Sequence, residues 1–381
     1  MRLFRMPTAR TVWIAGMIAA LLLLVALRYE PGHGLTTLTQ FDVVFQPRQV
    51  PALATIPHHV RSPTGFDGQF YCQLALDPLL LDPHTPAALD IPAFRARRIL
   101  VPWLAYLLGA GQPYWIVHLY PLLNVGFWLL LLALLLRVVP GATGLERAAI
   151  TAILFSTGAL ESVRLAVTDL PASYFAVLPA LLGAAGIGGI AALAAASLTR
   201  ETGILAIASF YAAPSPVQRP LWQRFALAGA ALVPVALWNG YIFWRWDLSF
   251  TAGGTLGLPF VHMAAALWAN LLRFLSELSP GGLGGVATIA GLLVQTTYLW
   301  THRRPADPLW RVGVAFSVLM VFLGGFVWAI PNGACRFLLP LTIAFNLQLV
   351  RAPQQPHRRA WFVAGNAYSL FGVLKFLTYA S

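Results

Sequence analysis

Long apolar runs alternate with short polar gaps along the whole chain of 381 residues. A run of roughly 17–25 apolar residues is long enough to cross a bilayer as one α-helix. Counting such runs predicts about nine crossings, or about eleven if the segment 170–211 divides into three short helices at its glycines. The pattern therefore predicts an all-α fold, a polytopic transmembrane helical bundle of about 9–11 spans.

Most of the predicted crossings have a length close to the thickness of a bilayer. They lie at 12–27, 114–136, 148–167, 170–211, 225–244, 281–300, 312–330, 337–350 and 361–377. Two other apolar segments, 99–111 and 261–278, are predicted to rest in the membrane interface, the first because it is short and the second because its polar residues share one helical face. The gap 331–336 is predicted to be a tight turn.

The charges lie mainly in the gaps between these runs. Hydrophobic residues make up 58% of the chain and charged residues 10%, which excludes a soluble globular protein because so few charges could not cover so much apolar surface. The net charge of +12 comes from arginines in every second gap, as the positive-inside rule requires, so membrane lipid is the expected partner and nucleic acid is not.

The N-terminal arginines set the predicted orientation. Arg2, Arg5 and Arg10 precede the first apolar run, and no cleavage site of small residues follows it, which indicates an uncleaved span with a cytoplasmic N-terminus. The loop 28–98 then lies outside, and the C-terminus is also expected outside. Cys72 and Cys335 have no metal-ligand spacing around them, so no zinc site is expected. The two cysteines form either a disulfide or, as we favour, two separate buried thiols.

The segment Gly65-Phe66-Asp67-Gly68-Gln69-Phe70-Tyr71 is the most distinctive part of the outer loop. It places a carboxylate, an amide and a phenol within five residues, in a chain with few acids. A carboxylate beside a membrane face is a candidate for a site. The alternative is that Asp67 only forms a turn next to glycine and that the aromatic residues belong to an interfacial belt.

Other ionisable residues gather on the predicted outer side, where acids and arginines together suit a phosphate-bearing substrate. Simpler explanations exist for most of them, namely interfacial snorkelling for the arginines after the loop, an intrahelical pair at spacing three, and a helix start at Asp169-Leu170-Pro171. The candidates are Arg97, Arg98, Glu161, Arg164, Asp169, Arg200, Glu201 and Arg336. The adjacent Arg200 and Glu201 interrupt an apolar run and require a partner or a cavity.

The order of these motifs resembles that of the polytopic GT-C-type membrane glycosyltransferases, closest to bacterial proteins of cell-surface glycopolymer formation. The resemblance rests on the FDGQFY motif, the helix after ARRILVPWLA, the Thr168-Asp169 pair and the SLTRETG segment, and covers residues 11–211. It implies a catalytic module at 1–211, with C-terminal transmembrane helices at 212–381. The pattern is also similar to that of GPI mannosyltransferases.

The resemblance implies an enzyme of the bacterial plasma membrane that transfers a sugar on the outer side. Its donor would be a polyprenyl-phosphate-linked sugar, and its acceptor a glycan or a lipid. Asp67 corresponds to the catalytic base and Asp169 to a second acid, while Gln69 and Tyr71 position the sugar. Phe66 stands where the family often has Trp or Glu. The resemblance therefore leaves open whether a divalent cation, Mg²⁺ or Mn²⁺, binds at Asp67 and Asp169. Two other functions stay open, a flippase for a lipid-linked glycan and a non-catalytic scaffold.

Overall fold

A computed structural model of the chain describes residues 8–61, 65–183, 186–211, 220–246 and 254–378. Arg2 and Arg5, which support the predicted orientation, lie outside the described residues. Most described residues are helical, and the described strands are two short parallel segments, β1 (Phe41–Asp42) and β2 (Val60–Arg61). The structure thus confirms a mostly helical fold.

In the first half of the chain, the helices within the loop 28–98 are short, and most of the helices outside it are longer. They are α1 (Ala9–Ala26), α2 (Pro51–Ala54), α3 (Gly68–Leu76), α4 (Pro92–Ala96), α5 (Leu100–Leu108), α6 (Pro113–Val138), α7 (Gly144–Leu154), α8 (Thr157–Arg164), α9 (Asp169–Leu182) and α10 (Ile187–Thr199). Three 3-10 helices accompany them, at Thr36–Leu38, Gln46–Arg48 and Glu201–Tyr211.

Helices of the second half alternate between long and short. They are α11 (Leu221–Trp246), α12 (Val261–Glu277), α13 (Pro280–Thr301), α14 (Pro308–Phe322), α15 (Gly325–Trp328), α16 (Pro331–Phe337), α17 (Leu339–Val350), α18 (Arg358–Asn366) and α19 (Ser369–Thr378). Local sequence sets several starts. The side chains of Thr143, Ser156 and Asp307 accept hydrogen bonds from backbone N–H groups at the first turns of α7, α8 and α14.

Five described segments are long and apolar enough to cross a membrane, judged by length and composition. They are Ala9–Ala26, Pro113–Val138, Phe225–Trp246, Pro280–Thr301 and Arg358–Leu377. The helices α9, α10, α14 and α17 are apolar but shorter, and at 1.5 Å per residue each would cover only about 20 Å of a core about 30 Å thick.

Several predicted crossings are interrupted in the structure. The segment 148–167 is two helices, because Ser156 caps the start of α8 with its hydroxyl, and all of α8 is buried in protein. The segment 170–211 consists of three short helices, which is one of its two predicted arrangements. The run 312–330 is interrupted after Phe322, where α14 ends, and continues as the short helix α15. The predicted turn 331–336 is instead the helix α16. Apolar content alone does not show such breaks, since a break buried inside protein leaves composition unchanged.

Two apolar cores hold the bundle together. The larger core contains Met17, Trp128, Phe316 and Phe345, so it runs through both of the predicted modules, 1–211 and 212–381. The smaller core includes Phe41 and Tyr71 of the loop together with residues of α6 and α11. The loop 28–98 is therefore a packed layer on one end of the helices.

The ends of α1 define the two ends of the bundle. Near its start, the indole of Trp13 donates a hydrogen bond to the hydroxyl of Thr151 in α7, at 3.2 Å. Just beyond its other end, Arg28 donates to the carbonyl of Phe376 in α19. The end of α19 and the loop 28–98 therefore lie at the same end of the bundle, which the arginine pattern assigns to the outside.

A glycine controls the close contact between α8 and α16. A Cβ at Gly158 would overlap the carbonyl of Cys335, whereas a Cβ at Gly126 of α6 would have open space. We expect Gly158→Ala to lower the free energy of unfolding by about 1–3 kcal/mol, because backbone cannot move away cheaply. Gly126→Ala, which adds the same methyl to another helix, should leave stability unchanged or slightly raised.

Thermal unfolding of the purified proteins in detergent, followed by tryptophan fluorescence, measures both changes. Equal melting temperatures for the two variants would contradict the packing of α8 against α16.

Candidate functional site

The two glycines of the Gly65–Tyr71 segment allow its backbone to pack closely. A Cβ at Gly68 would lie 2.5 Å from the carbonyl oxygen of Leu165 and 2.8 Å from that of Thr39, and one at Gly65 would overlap the carbonyl of Gln40. No side chain fits at these distances. The segment is thereby pressed between the loop and the end of α8, with Asp67 immediately before α3.

Asp67 forms a two-pronged ion pair with Arg95 of α4. Its carboxylate oxygens lie 2.9 and 3.0 Å from the guanidinium nitrogens Nη1 and Nη2 of Arg95. Arg95 is itself buried, also pairs with Asp90 at 2.7 Å, and covers the ring of Phe70 at 5.0 Å. Burial raises the pKa of Asp67, but the charge of Arg95 outweighs it, so that the pKa is lowered and the carboxylate is ionised at neutral pH.

Tyr71 links this pair to a second buried arginine. Its hydroxyl lies 2.7 Å from Nη1 of Arg98 and 3.3 Å from Nη1 of Arg95. Arg98 is 2% exposed and makes a two-pronged pair with Glu201, with nitrogen–oxygen distances of 2.9 and 2.5 Å. Burial disfavours the charged form of Arg98 and lowers its pKa, but the nearby carboxylate of Glu201 stabilises the charged form more strongly. The pKa of Arg98 is therefore raised above its ordinary value.

Asp169 is the centre of a third pairing. Its carboxylate accepts a hydrogen bond from Arg200 and lies 3.6 Å from Nη1 of Arg336. The guanidinium of Arg336 in turn covers the ring of Phe66 at 4.8 Å, and that of Arg200 covers Phe337 at 3.6 Å. Arg336 therefore joins the Asp67 segment to the start of α9.

Glu161 and Arg164 of α8 pair within their helix, at 2.6 Å, as their spacing predicts. Glu161 also lies 3.0 Å from Nζ of Lys375 in α19. Together with Gln40, Arg61 and Arg336, these side chains line a cavity of about 290 Å³. Among the described residues of its wall, four are cationic and one is acidic, so the cavity is positively charged. We call it the cationic cavity.

A second cavity of about 390 Å³ shares Gln40 and Arg61 with the cationic cavity. It is lined at the ends of two helices by Arg28, after α1, and by Phe376 of α19. An apolar groove of about 870 Å³ lies along the same two helices, farther from the loop 28–98, and its wall includes Trp13, Met17 and Val373. At 1.5 Å per residue, Val373 lies only about 3 Å along α19 from Lys375.

The structure brings most predicted site residues into one region. Asp67, Tyr71, Arg98 and Glu201 form one connected network, and Asp169, Arg200 and Arg336 form another that contacts it through Phe66. Arg98 and Arg200 are buried and paired with the carboxylates of Glu201 and Asp169, and neither lines the cationic cavity, so their role in substrate binding stays a prediction.

Two predicted substrate contacts have other partners. The amide of Gln69 is 2% exposed and bonds Asp42 twice, at 2.7 and 3.2 Å, which attaches α3 to β1. Arg97 lies within electrostatic range of Glu201 and Arg98, with its guanidinium 5.5 Å from the ring centroid of Phe94 and its Nε 3.4 Å from the carbonyl of Ala93. The contacts of Gln69 are those of a structural residue, whereas the substrate role of Arg97 stays a prediction.

Three cavity or network residues were not among the predicted site residues, namely Arg61, Arg95 and Lys375. Arg95 lies two and three positions before the predicted site residues Arg97 and Arg98. Its position in α4 places its guanidinium against Asp67. Lys375 carried a visible signal, because it is the one lysine among 25 basic residues and lies in an apolar run. An isolated charge in such a run requires a partner.

The predicted metal position is not supported by the contacts. Mg²⁺ or Mn²⁺ at Asp67 or Asp169 would have to displace an arginine from a carboxylate that it already neutralises. Cys72 and Cys335 are both buried free thiols, which confirms the favoured interpretation over a disulfide.

Asp67 makes the stability of the protein depend on pH. The folded state lowers its pKa, so the ionised carboxylate stabilises the fold at neutral pH, and this contribution is lost as pH falls below about 4, where an ordinary Asp titrates. We expect acidification from about pH 4 to about pH 2 to destabilise Asp67→Asn less than the wild type, by roughly 1 kcal/mol.

Melting temperatures of both proteins across this pH range test the expectation. Glu277→Gln is the matched control, because its pair with Arg273 is exposed on both sides and such pairs contribute little. A variant Asp67→Asn as acid-sensitive as the wild type would contradict the ion pair with Arg95.

No protein-family model, curated protein or solved structure matches this chain. The resemblance to GT-C-type glycosyltransferases therefore rests on the short sequence motifs alone.

Proposed function

We propose that the protein is an integral membrane glycosyltransferase of the bacterial plasma membrane. It would take a sugar from a polyprenyl-phosphate donor and transfer it, with inversion, to a glycan or lipid acceptor on the outer side. The observation that carries this proposal is the apolar groove along α1 and α19, whose wall residue Val373 lies two positions before Lys375 of the cationic cavity.

A polyprenyl-phosphate sugar has two parts that suit these two environments. Its long hydrocarbon chain favours an apolar groove open to lipid, since burial there removes no polar contact. Its phosphate favours arginine and lysine, because guanidinium groups offer paired donors that match phosphate oxygens. The cationic cavity supplies Arg61, Arg164, Arg336 and Lys375. A soluble nucleotide sugar would leave the groove without a purpose.

The chemistry requires little more than a base and an electrostatic clamp. The acceptor oxygen forms a bond to the anomeric carbon while the bond from that carbon to the phosphate oxygen breaks. Polyprenyl phosphate leaves with the bonding electron pair, and its negative charge is met by the cations of the cavity. The proton of the acceptor hydroxyl passes to a carboxylate.

Asp67 is our candidate for that carboxylate. Its side chain is 25% exposed, unlike that of Asp169, which is fully buried. The lowered pKa keeps Asp67 ionised but makes it a weak base. A weak base is sufficient here, because phosphate is a good leaving group and a sugar cation develops before the proton is transferred. Asp169 would then act indirectly, by holding Arg200 and Arg336 in place.

Removing the proposed base tests the assignment. Asp67→Asn keeps the shape of the side chain and one acceptor for Arg95 but cannot accept a proton. We expect sugar transfer from a polyprenyl-phosphate donor in membranes to fall by about 10²–10⁴-fold, the usual contribution of a general base.

Asp82→Asn is the control, because Asp82 lies in the same loop and contacts His84 instead of an arginine. Transfer at the wild-type rate by Asp67→Asn would refute its role as base. Counterflow of a labelled lipid-linked glycan in proteoliposomes, without any product, would instead favour a flippase.

Filling the groove tests how the donor binds. Gly16 lies in the groove wall with open space beside it, and Gly126 lies outside the groove with equal space. We expect Gly16→Leu to raise the KM for a long polyprenyl donor several-fold but not for a donor with a short lipid chain. Gly126→Leu should change neither value.

Kinetics with both donors measure this difference. A KM for the long donor that is the same in Gly16→Leu and in Gly126→Leu would show that the lipid chain binds elsewhere.

A further inference from the structure

Three potential metal ligands meet in the loop after the first helix. Glu30 and His33 belong to the turn that follows α1, and His59 precedes β2. Nδ1 of His33 lies 3.4 Å from Oε2 of Glu30, and Nδ1 of His59 lies 2.5 Å from the same oxygen. All three ligand atoms lie within 4.8 Å of one another. The expectation of no zinc site considered cysteines and close sequence spacing, and His59 is distant in sequence from Glu30 and His33.

The backbone around this cluster is well defined. Glu30 and Gly34 exchange two backbone hydrogen bonds, of 2.9 and 2.7 Å, and Gly32 and Gly34 adopt left-handed conformations that glycine favours. The backbone N–H of His59 donates to the hydroxyl of Thr36 at 2.9 Å. These bonds hold the two segments in register, so the ligands are arranged before any ion binds.

One nitrogen of the cluster has no use in the structure as it stands. Nδ1 of His33 is shielded from solvent and makes no hydrogen bond to any described residue. Its 3.4 Å separation from Glu30 has the length but not the direction of a hydrogen bond. A buried polar atom without a partner is costly, and coordination of a metal ion by its lone pair would remove that cost.

We propose that Glu30, His33 and His59 bind a zinc ion. Two imidazole nitrogens and one carboxylate oxygen are a common zinc ligand set, which leaves a fourth position for water or a ligand. Tetrahedral ligands about 2.0–2.1 Å from the metal are about 3.3 Å apart, close to the 3.4 Å between His33 and Glu30. His59 and Glu30 are 2.5 Å apart and share a proton in the absence of an ion, so these two ligands would move apart when the ion replaces that proton. Imidazole ligands favour Zn²⁺ over Mg²⁺ and Ca²⁺, which prefer oxygen.

The position of the cluster suggests what the ion does. Glu30 and His59 line the cavity of about 390 Å³ that also contains Arg28 and Arg61. Zinc there would tie the exit of α1 to the segment before β2 and add positive charge to the cavity wall. This inference does not depend on the proposed glycosyltransferase activity.

Direct metal binding provides the test. The full-length protein without a polyhistidine tag is purified in detergent, stripped with a chelator, and titrated with Zn²⁺ in competition with a chromophoric chelator. We expect one bound Zn²⁺ per chain. Co²⁺, used as a spectroscopic probe, should give the intense visible bands of a tetrahedral site.

Variants then locate the ion. His33→Ala and His59→Gln should each weaken zinc binding by more than about 10–100-fold, the loss typical of an outer-shell partner. His59→Gln can still donate a hydrogen bond to Glu30, so it separates loss of a ligand from loss of the fold. His84→Ala is the control, because His84 contacts a single acid, Asp82, at 2.8 Å. It should bind zinc like the wild type.

Two results would overturn the proposal. One is a wild-type protein that binds no Zn²⁺ at micromolar concentration. The other is equal zinc affinity in the wild type, His33→Ala and His59→Gln, which would place the ion elsewhere. Both readouts are independent of sugar transfer, so they stand whether or not the protein proves to be an enzyme.

Discussion

The cost of burying a charged side chain governs the arrangement of one end of this protein. Arg95, Arg98 and Arg200 are each at least nine-tenths buried, and a buried guanidinium is tolerated only when a carboxylate and hydrogen bonds replace its water. Each therefore requires an acid from another part of the chain. The pairs attach α4 to the Asp67 segment, the start of α5 to the 3-10 helix at Glu201–Tyr211, and α9 to that same helix.

This pairing divides the charges into two groups. The buried arginines Arg95, Arg98 and Arg200 are neutralised by carboxylates and hold the helices in position, so these arginines are poor candidates for binding a ligand. The described wall of the cationic cavity holds four cations and one acid, so the wall has a net positive charge even though Arg164 and Lys375 both pair with Glu161. Arg336 belongs to both groups, because it faces Asp169 and also lines the cavity.

The proposed function follows from where the excess charge lies. An anion site in the middle of a bundle would suit a soluble substrate, but this one includes Lys375 of α19, two positions beyond Val373 in the wall of the apolar groove. A molecule with a long apolar chain and a phosphate satisfies both environments at once. The Asp67 segment is pressed against the same region by its two glycines, and it presents a partly exposed carboxylate beside the cations.

Composition and the length of its apolar runs determined the general nature of the protein. With 58% hydrophobic residues and few charges, the chain was predicted to form apolar helices long enough to span a membrane, because a helix satisfies its own backbone groups in lipid. The spacing of Glu161 and Arg164 and the scarcity of acids also identified much of the candidate site.

Tertiary structure alone decided which charges pair and which remain for a ligand. Arg98 and Glu201 are 103 positions apart, and no local pattern connects them. The break before α8, the placement of Lys375 beside Glu161, and the meeting of Glu30 and His33 with His59 have the same origin. Burial and charge pairing act through distances in space, and these distances are set only when separate segments pack together.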